Sequence, residues 1–385
     1  MKKANNKILI IGPFAEFGGR ELMSVFIADC LSKDHSVDIC STGNMSKKAV
    51  INKNFKQGTV FSLKKNLFKK NFIFRFFAYL SYFKNNLKKE PYFYLNNKIN
   101  KSLGSNRKYI KELDLILKKY QLVFINAQFS SNYVDYILKT TKTLQIPTIF
   151  RTTGTINPND YFQSLENVDM FIHHSISNSN KIKKNNFEVI DQASFIEKKL
   201  ITIKPKNKIK NFLFLGRLVK EKGIDDLIKF FIKYPKDDIK LNIVGDGPLK
   251  KELLAKYSNQ DKIFFLNFLA QEELHVEYQK NDCLIIASHY ESGPLVGVEA
   301  MASGNIIIST KVGAMEERLK ETKNNFWFDI NNYSSFEKCM NIVLNLNSNE
   351  IKIISESLKE KYIKSHKLEL IQKLYKETVR KVLNK

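Results

Sequence analysis

The chain has 385 residues, 43% of them hydrophobic, which excludes global disorder and leads us to expect two domains of ordinary size. Its formal charge of +24 favours an anionic partner: nucleic acid, anionic lipid or a phosphorylated substrate. The cysteines Cys30, Cys40, Cys283 and Cys339 are scattered without metal-ligand spacing, so they read as reduced core thiols of a cytosolic protein.

The chain opens on Met1-Lys2-Lys3 and an apolar run at 8–11. That run is too short for a signal-peptide core and suits a first buried strand. Further strand candidates follow at 37–40, 122–125, 148–150, 170–173 and 189–190. A second series occupies 212–215, 241–244, 263–266, 284–287, 306–309 and 326–328. Apolar strands alternating with amphipathic stretches predict parallel sheets covered on both faces. The polar stretch 203–208 contains Pro205 and reads as a linker, giving domains over 1–203 and 204–365. Residues 366–385 read as a last helix, with Leu370 and Leu374, and Ile371 and Tyr375, four apart and Val379, Val382 and Leu383 continuing the face.

The charge is uneven. Residues 53–119 carry 17 Lys and Arg against three acids, which makes them a basic insertion in the first domain. Within it, residues 64–94 interleave lysines with aromatics. The apolar run 72–83 is broken by Arg75 and falls short of the roughly 20 residues a spanning helix needs. An apolar helix with basic ends suits a membrane interface rich in anionic lipid. A buried helix with exposed basic flanks is the competing reading. A nucleic-acid role lacks a recognisable binding module, and no nucleic-acid partner is expected.

Motifs for chemistry concentrate after strands. The run 288–304 holds Glu291 and Glu299 eight residues apart around the turn Ser292-Gly293-Pro294. A strand leads in and a helix leads out, so the amides of Leu295 and Val296 would face an anion such as phosphate. The two acids could accept hydrogen bonds from hydroxyls on either side. Ordinary solvated glutamates are the bland alternative. Gly18-Gly19-Arg20-Glu21 follows the first strand and permits close backbone approach to a ligand. Arg217 and Lys222 follow the first strand of the second domain and could converge on a diphosphate. Gly245-Asp246-Gly247-Pro248 is a turn by composition, and Asp282 reads as structural.

These motifs together resemble the retaining glycosyltransferases of family 4, glycosyl transferases group 1, which have the GT-B fold. That family carries an acid-x7-acid motif continued by Glu-Ala-Met-Ala, a small residue and Gly, as at 299–304 here. The Gly-Gly-x-Glu loop, the Gly-Arg…Lys-Gly run and the Gly-x-Gly-Pro turn also match. The resemblance implies an α/β fold of two Rossmann-like domains facing across a cleft, with the last helix crossing back to the first. It implies a nucleotide-sugar donor held by Gly18, Gly19, Arg217, Lys222, Gly293, Pro294, Leu295, Val296 and Glu299. Glu291 would bind the sugar, and Arg217 and Lys222 would stabilise the leaving diphosphate. Relatives often place a His near the end of an N-domain strand; Thr153 stands there instead, so Arg151 and Thr153 become candidate sugar or acceptor contacts.

The implied activity is retaining transfer of a sugar to a glycan or lipid-linked acceptor, in bacterial surface polysaccharide synthesis. It needs no cofactor or metal, because basic residues can neutralise the diphosphate. The protein would sit at the inner face of the cell membrane, with an anionic surface as partner. Two other functions stay open: a sugar-nucleotide epimerase on the same fold, and a basic membrane or nucleic-acid-binding module.

Overall fold

The structure is a computed structural model that describes residues 6–267 and 269–384. Met1-Lys2-Lys3 and the last residue of the expected C-terminal segment lie outside the described residues. The chain divides into two compact units. The first holds the residues up to His173, then Ser179–Ile190, and the chain from Gln372 on; the second holds His174–Asn178 and Asp191–Ile371.

The first unit is built on seven parallel strands: β1 (Lys7–Gly12), β2 (Ser36–Ser41), β3 (Val60–Ser62), β4 (Leu122–Ala127), β5 (Thr148–Thr152), β6 (Met170–His173) and β7 (Phe187–Val189). Their order is β3-β2-β1-β4-β5-β6-β7. The apolar run of β1 is fully enclosed between β2 and β4, as expected for a strand covered on both faces. The order reverses beside β1, so the loop carrying Gly18 and Gly19 leaves the sheet at a topological switch point.

The second unit has six parallel strands: β8 (Asn211–Leu215), β9 (Lys240–Val244), β10 (Ile263–Leu266), β11 (Cys283–Ile286), β12 (Ile306–Ser309) and β13 (Phe326–Trp327). Their order is β10-β9-β8-β11-β12-β13, with the switch between β8 and β11. The loop bearing Arg217 and Lys222 follows β8, and the turn bearing Glu291 follows β11. Both expected donor loops therefore leave strands that flank one switch point. Asp282 fastens the start of β8: its Oδ2 accepts from the amides of Lys210 and Asn211 at 3.0 and 2.8 Å.

The boundary between units lies earlier than the expected 203/204. Ile196, Leu200 and Ile203 are buried in the core of the second unit together with Phe212 and Leu358, so the helix Glu197–Ile201 belongs there. The polar stretch 203–208 lies inside the second unit.

At the other end, the helix Leu368–Leu383 carries the chain back into the first unit. Tyr375 is fully buried there, edge-on to Phe26 with ring centroids 6.1 Å apart. Lys376 pairs with Asp34 at 2.6 Å. Among the described residues, no helix is long and apolar enough to cross a membrane.

Candidate functional site

The helix Leu295–Ser303 begins directly after Pro294, its N-cap. Gly297 donates back to the Pro294 carbonyl at 3.1 Å. The Leu295 and Val296 amides, one step earlier, belong to the first turn and have no intrahelical acceptor. The helix N-terminus is thus an anion-attracting end at the carboxyl edge of β11.

A glycine brings the β8 loop against this turn. Gly223 has φ +63°, and a Cβ there would lie 2.0 Å from the Ala287 carbonyl oxygen. It closes the 3-10 turn Lys220–Lys222, while the His289 amide donates to the Glu221 carbonyl at 2.9 Å. The result joins Lys222 to Glu291: Nζ donates to Oε2 at 2.8 Å, with both side chains partly exposed. Gly245 and Gly247 support the same loop from beneath, since their Cβ positions lie 1.9 and 2.5 Å from the carbonyl oxygens of Gly216 and Leu218. Arg217 projects from that loop and is exposed. The glycines of 245–248 are thus architectural.

Glu299 is 1% exposed. The Tyr278 hydroxyl lies 3.0 Å from its Oε2, and Oε1 is buried without a hydrogen-bond partner. Burial pushes the carboxyl up to about 7, against the opposite pull of Tyr278 and the neighbouring Gln271 amide. The two acids of the motif therefore have different surroundings: Glu291 meets a cation near the surface, Glu299 a phenol in the interior.

Beneath the turn lies a network that sequence reasoning missed. Arg318 is buried and forks onto Asp191, Nη2 to Oδ1 at 2.6 Å and Nε to Oδ2 at 2.7 Å. Its remaining nitrogen, Nη1, donates to the Pro294 carbonyl at 2.5 Å. Burial works to raise the Asp191 carboxyl, but Arg318, His174 and His366 hold it well below the usual carboxylate range. His174 also lines the turn: a Cβ on Gly293 would come 3.3 Å from its Cγ and 2.8 Å from Arg318 Nη2. Only glycine fits between them. Residues 127 positions apart leave no local signal for such a pair.

In the first unit, Gly18 and Gly19 open the helix Gly19–Leu31. Glu21 turns inward and accepts from the Ala15 amide at 2.9 Å, shaping the loop. A Cβ on Gly18 would lie 2.6 Å from Glu21 Oε2, whereas Gly19 faces open space. Arg151, expected as a sugar or acceptor contact, is 1% exposed. Its side chain is enclosed, with Nε donating to the Tyr375 hydroxyl at 2.7 Å and Nη1 to Asn126 Oδ1 at 3.2 Å. It anchors the C-terminal helix. Thr153 is half-buried, with an Oγ1 that has no hydrogen-bond partner. Among the described residues, no group of three or more His, Cys, Asp or Glu could hold a metal ion.

Residues 196–364 match the family model for glycosyl transferases group 1. The match covers most of the second unit. An uncharacterized glycosyltransferase of Methanocaldococcus jannaschii is 34% identical over 122 residues, covering 31% of this chain and 31% of the relative. The alpha-monoglucosyldiacylglycerol synthase of Acholeplasma laidlawii is 30% identical over 156 residues, covering 38% and 39%. The alignments thus span about a third of these curated relatives. The crystal structure of Anabaena Alr3699/HepE in complex with UDP-glucose superposes with a TM-score of 0.71 at 16% identity, covering 98% of this chain and 100% of that one. The likeness shows the GT-B glycosyltransferase fold.

Proposed function

We propose that the protein is a retaining glycosyltransferase that moves a sugar from a nucleotide-sugar donor to a glycan or lipid-linked acceptor in bacterial surface polysaccharide synthesis. The observation that carries this reading is the Lys222–Glu291 pair set beside the N-terminus of the helix Leu295–Ser303, in the unit that matches the family. The UDP-glucose complex of the Anabaena protein supports a nucleotide sugar as donor.

In this reading the Leu295 and Val296 amides, Arg217 and Lys222 neutralise the diphosphate as the glycosidic C–O bond breaks. Glu291 holds sugar hydroxyls and orients the anomeric carbon. Glu299 offers the ribose hydroxyls the oxygen that Tyr278 leaves unused. The acceptor hydroxyl attacks from the face that the diphosphate leaves, and its proton passes to the departing phosphate oxygen. Catalysis is then positioning plus electrostatic stabilisation, with no side-chain base and no metal.

A thermal-shift panel of nucleoside diphosphates and their sugars tests donor binding, because a ligand of the folded state raises stability by mass action. The best donor then enters a transfer assay with the anomeric configuration of the product read by NMR. An inverted product rejects retention. Donor turnover without acceptor points to an epimerase, and no binding across the panel rejects the reading.

A further inference from the structure

The basic insertion of the first unit exposes an apolar helix face. The helix Phe72–Lys84 starts at Asn71, whose side chain accepts from the Phe74 amide. Only Phe74 and Ala78 are buried. Asn97 and Asn100 clamp the helix from below through the carbonyls of Phe77 and Phe74, at 3.1 and 2.9 Å. The opposite face is aromatic and open: Phe72 is 71% exposed, Phe83 63% and Phe76 57%, with Ile73, Tyr79 and Leu80 between them. At 3.6 residues per turn these positions form one stripe roughly 120° wide. Its apolar side faces out, the reverse of an ordinary surface helix.

A basic cavity adjoins the end of this stripe. It has a volume of about 440 Å3, and its lining includes Lys84, Lys88, Lys89, Asn44, Asn85 and Asn86. Asn86 and Leu87 both have positive φ, +54° and +59°, an uncommon pairing for residues with side chains. That turn leaves Leu87 exposed beside the stripe and Lys88 and Lys89 in the cavity wall. Two other lysines of the segment are engaged within the protein: Lys64 donates to Asn44, and Lys70 pairs with Glu112 at 2.7 Å.

We propose that this face docks on an anionic bilayer. The stripe Phe72, Phe76, Leu80 and Phe83 enters the headgroup–acyl boundary, and the cavity of Lys84, Lys88 and Lys89 receives a lipid phosphate. The charge selects the occupant: an apolar stripe alone would serve a protein partner equally, but one ending in a lysine-lined cavity complements an anionic headgroup above hydrocarbon. This inference stands apart from the donor reading.

The test is flotation of the full chain with vesicles of phosphatidylcholine, with and without phosphatidylglycerol, at low and high salt. Wild-type protein is expected to float with the anionic vesicles at low salt only. Lys84→Gln/Lys88→Gln/Lys89→Gln should weaken partition by roughly two orders of magnitude, at about 1 kcal/mol per lysine near an anionic surface. Phe72→Ser/Phe76→Ser/Phe83→Ser should abolish flotation. A Phe76→Trp reporter should blue-shift on the vesicles. Nucleotide-induced thermal shift, measured in parallel, should be the same in wild type and variants. Wild-type protein that ignores anionic vesicles overturns the proposal. So do variants that float like wild type, glycerol phosphate binding without vesicle binding, and self-association lost in the Phe variants without vesicle binding.

Discussion

Lys222 Nζ donates to Glu291 Oε2 at 2.8 Å, so the cation proposed for the diphosphate and the acid proposed for the sugar are bonded to each other. They come from loops after different strands of one sheet, and Gly223 permits the contact through its left-handed backbone. The pair is partly exposed, so it adds at most about 1 kcal/mol to stability. Its importance lies in placement.

Lys222→Ala and Glu291→Ala should each lower kcat/KM by at least tenfold, about 1.4 kcal/mol, with little change in melting temperature. Because the residues touch, the double variant should lose less than the sum of the two. A double-mutant cycle checks this, and strict additivity would mean that the pair does not act at one centre.

Arg318→Ala should be much more damaging to the fold. It leaves Asp191 buried without its main counter-charge and removes one of the two donors to the Pro294 carbonyl, at a cost of about 3–5 kcal/mol. Replacing both partners, Arg318→Met with Asp191→Asn, should recover part of that loss. Denaturant unfolding measures both; a mild single variant would show that the network is dispensable.

Glu299 should give stability a pH dependence. Its carboxyl rises from 4.5 to about 7 on folding, so between those values the native protein holds a proton that the unfolded chain has lost. Stability contributed by this group therefore falls as pH rises through that window, by about 3 kcal/mol, and levels off above 7. Glu299→Gln should gain on wild type progressively from pH 5 to pH 8 in thermal unfolding. A constant difference across that range contradicts the buried, protonated carboxyl. The same variant should bind nucleotide more weakly at pH 8, where the ionised acid serves as acceptor.

Tyr375→Phe removes the hydroxyl that accepts from Arg151 Nε. A buried hydrogen bond to a charged group contributes about 1.5–3 kcal/mol, so the melting temperature should drop while donor affinity holds. A loss of donor affinity at unchanged stability would return Arg151 to the ligand site.

Much of the fold is legible because apolar runs of four or more residues, such as 8–11 and 306–309, are long enough to require burial on both faces. β3 escapes such reading. It is a three-residue edge strand, half-buried, paired on one side only, and its Val60-Phe61-Ser62 makes no continuous apolar run. The domain boundary escapes as well: Pro205 and its lysines look like a linker, yet Ile203 and Ile209 on either side are buried in the second core.

The sequence by itself determined two series of parallel strands, the glycine-rich turns after them, and the acids and bases that those turns carry. Each of these depends on local chemistry: burial of an apolar run, the backbone freedom of glycine, a helix that begins after Pro294. Only the tertiary structure decided which groups meet. It joined Lys222 to Glu291, sank Glu299 beside Tyr278, locked Arg151 onto Tyr375 and placed Arg318 beneath Pro294. It also turned the aromatic face of Phe72–Lys84 outward, where periodicity alone allowed either side. Such pairings depend on strand order and on which side of a sheet each helix covers, and residues far apart in sequence carry no local trace of them.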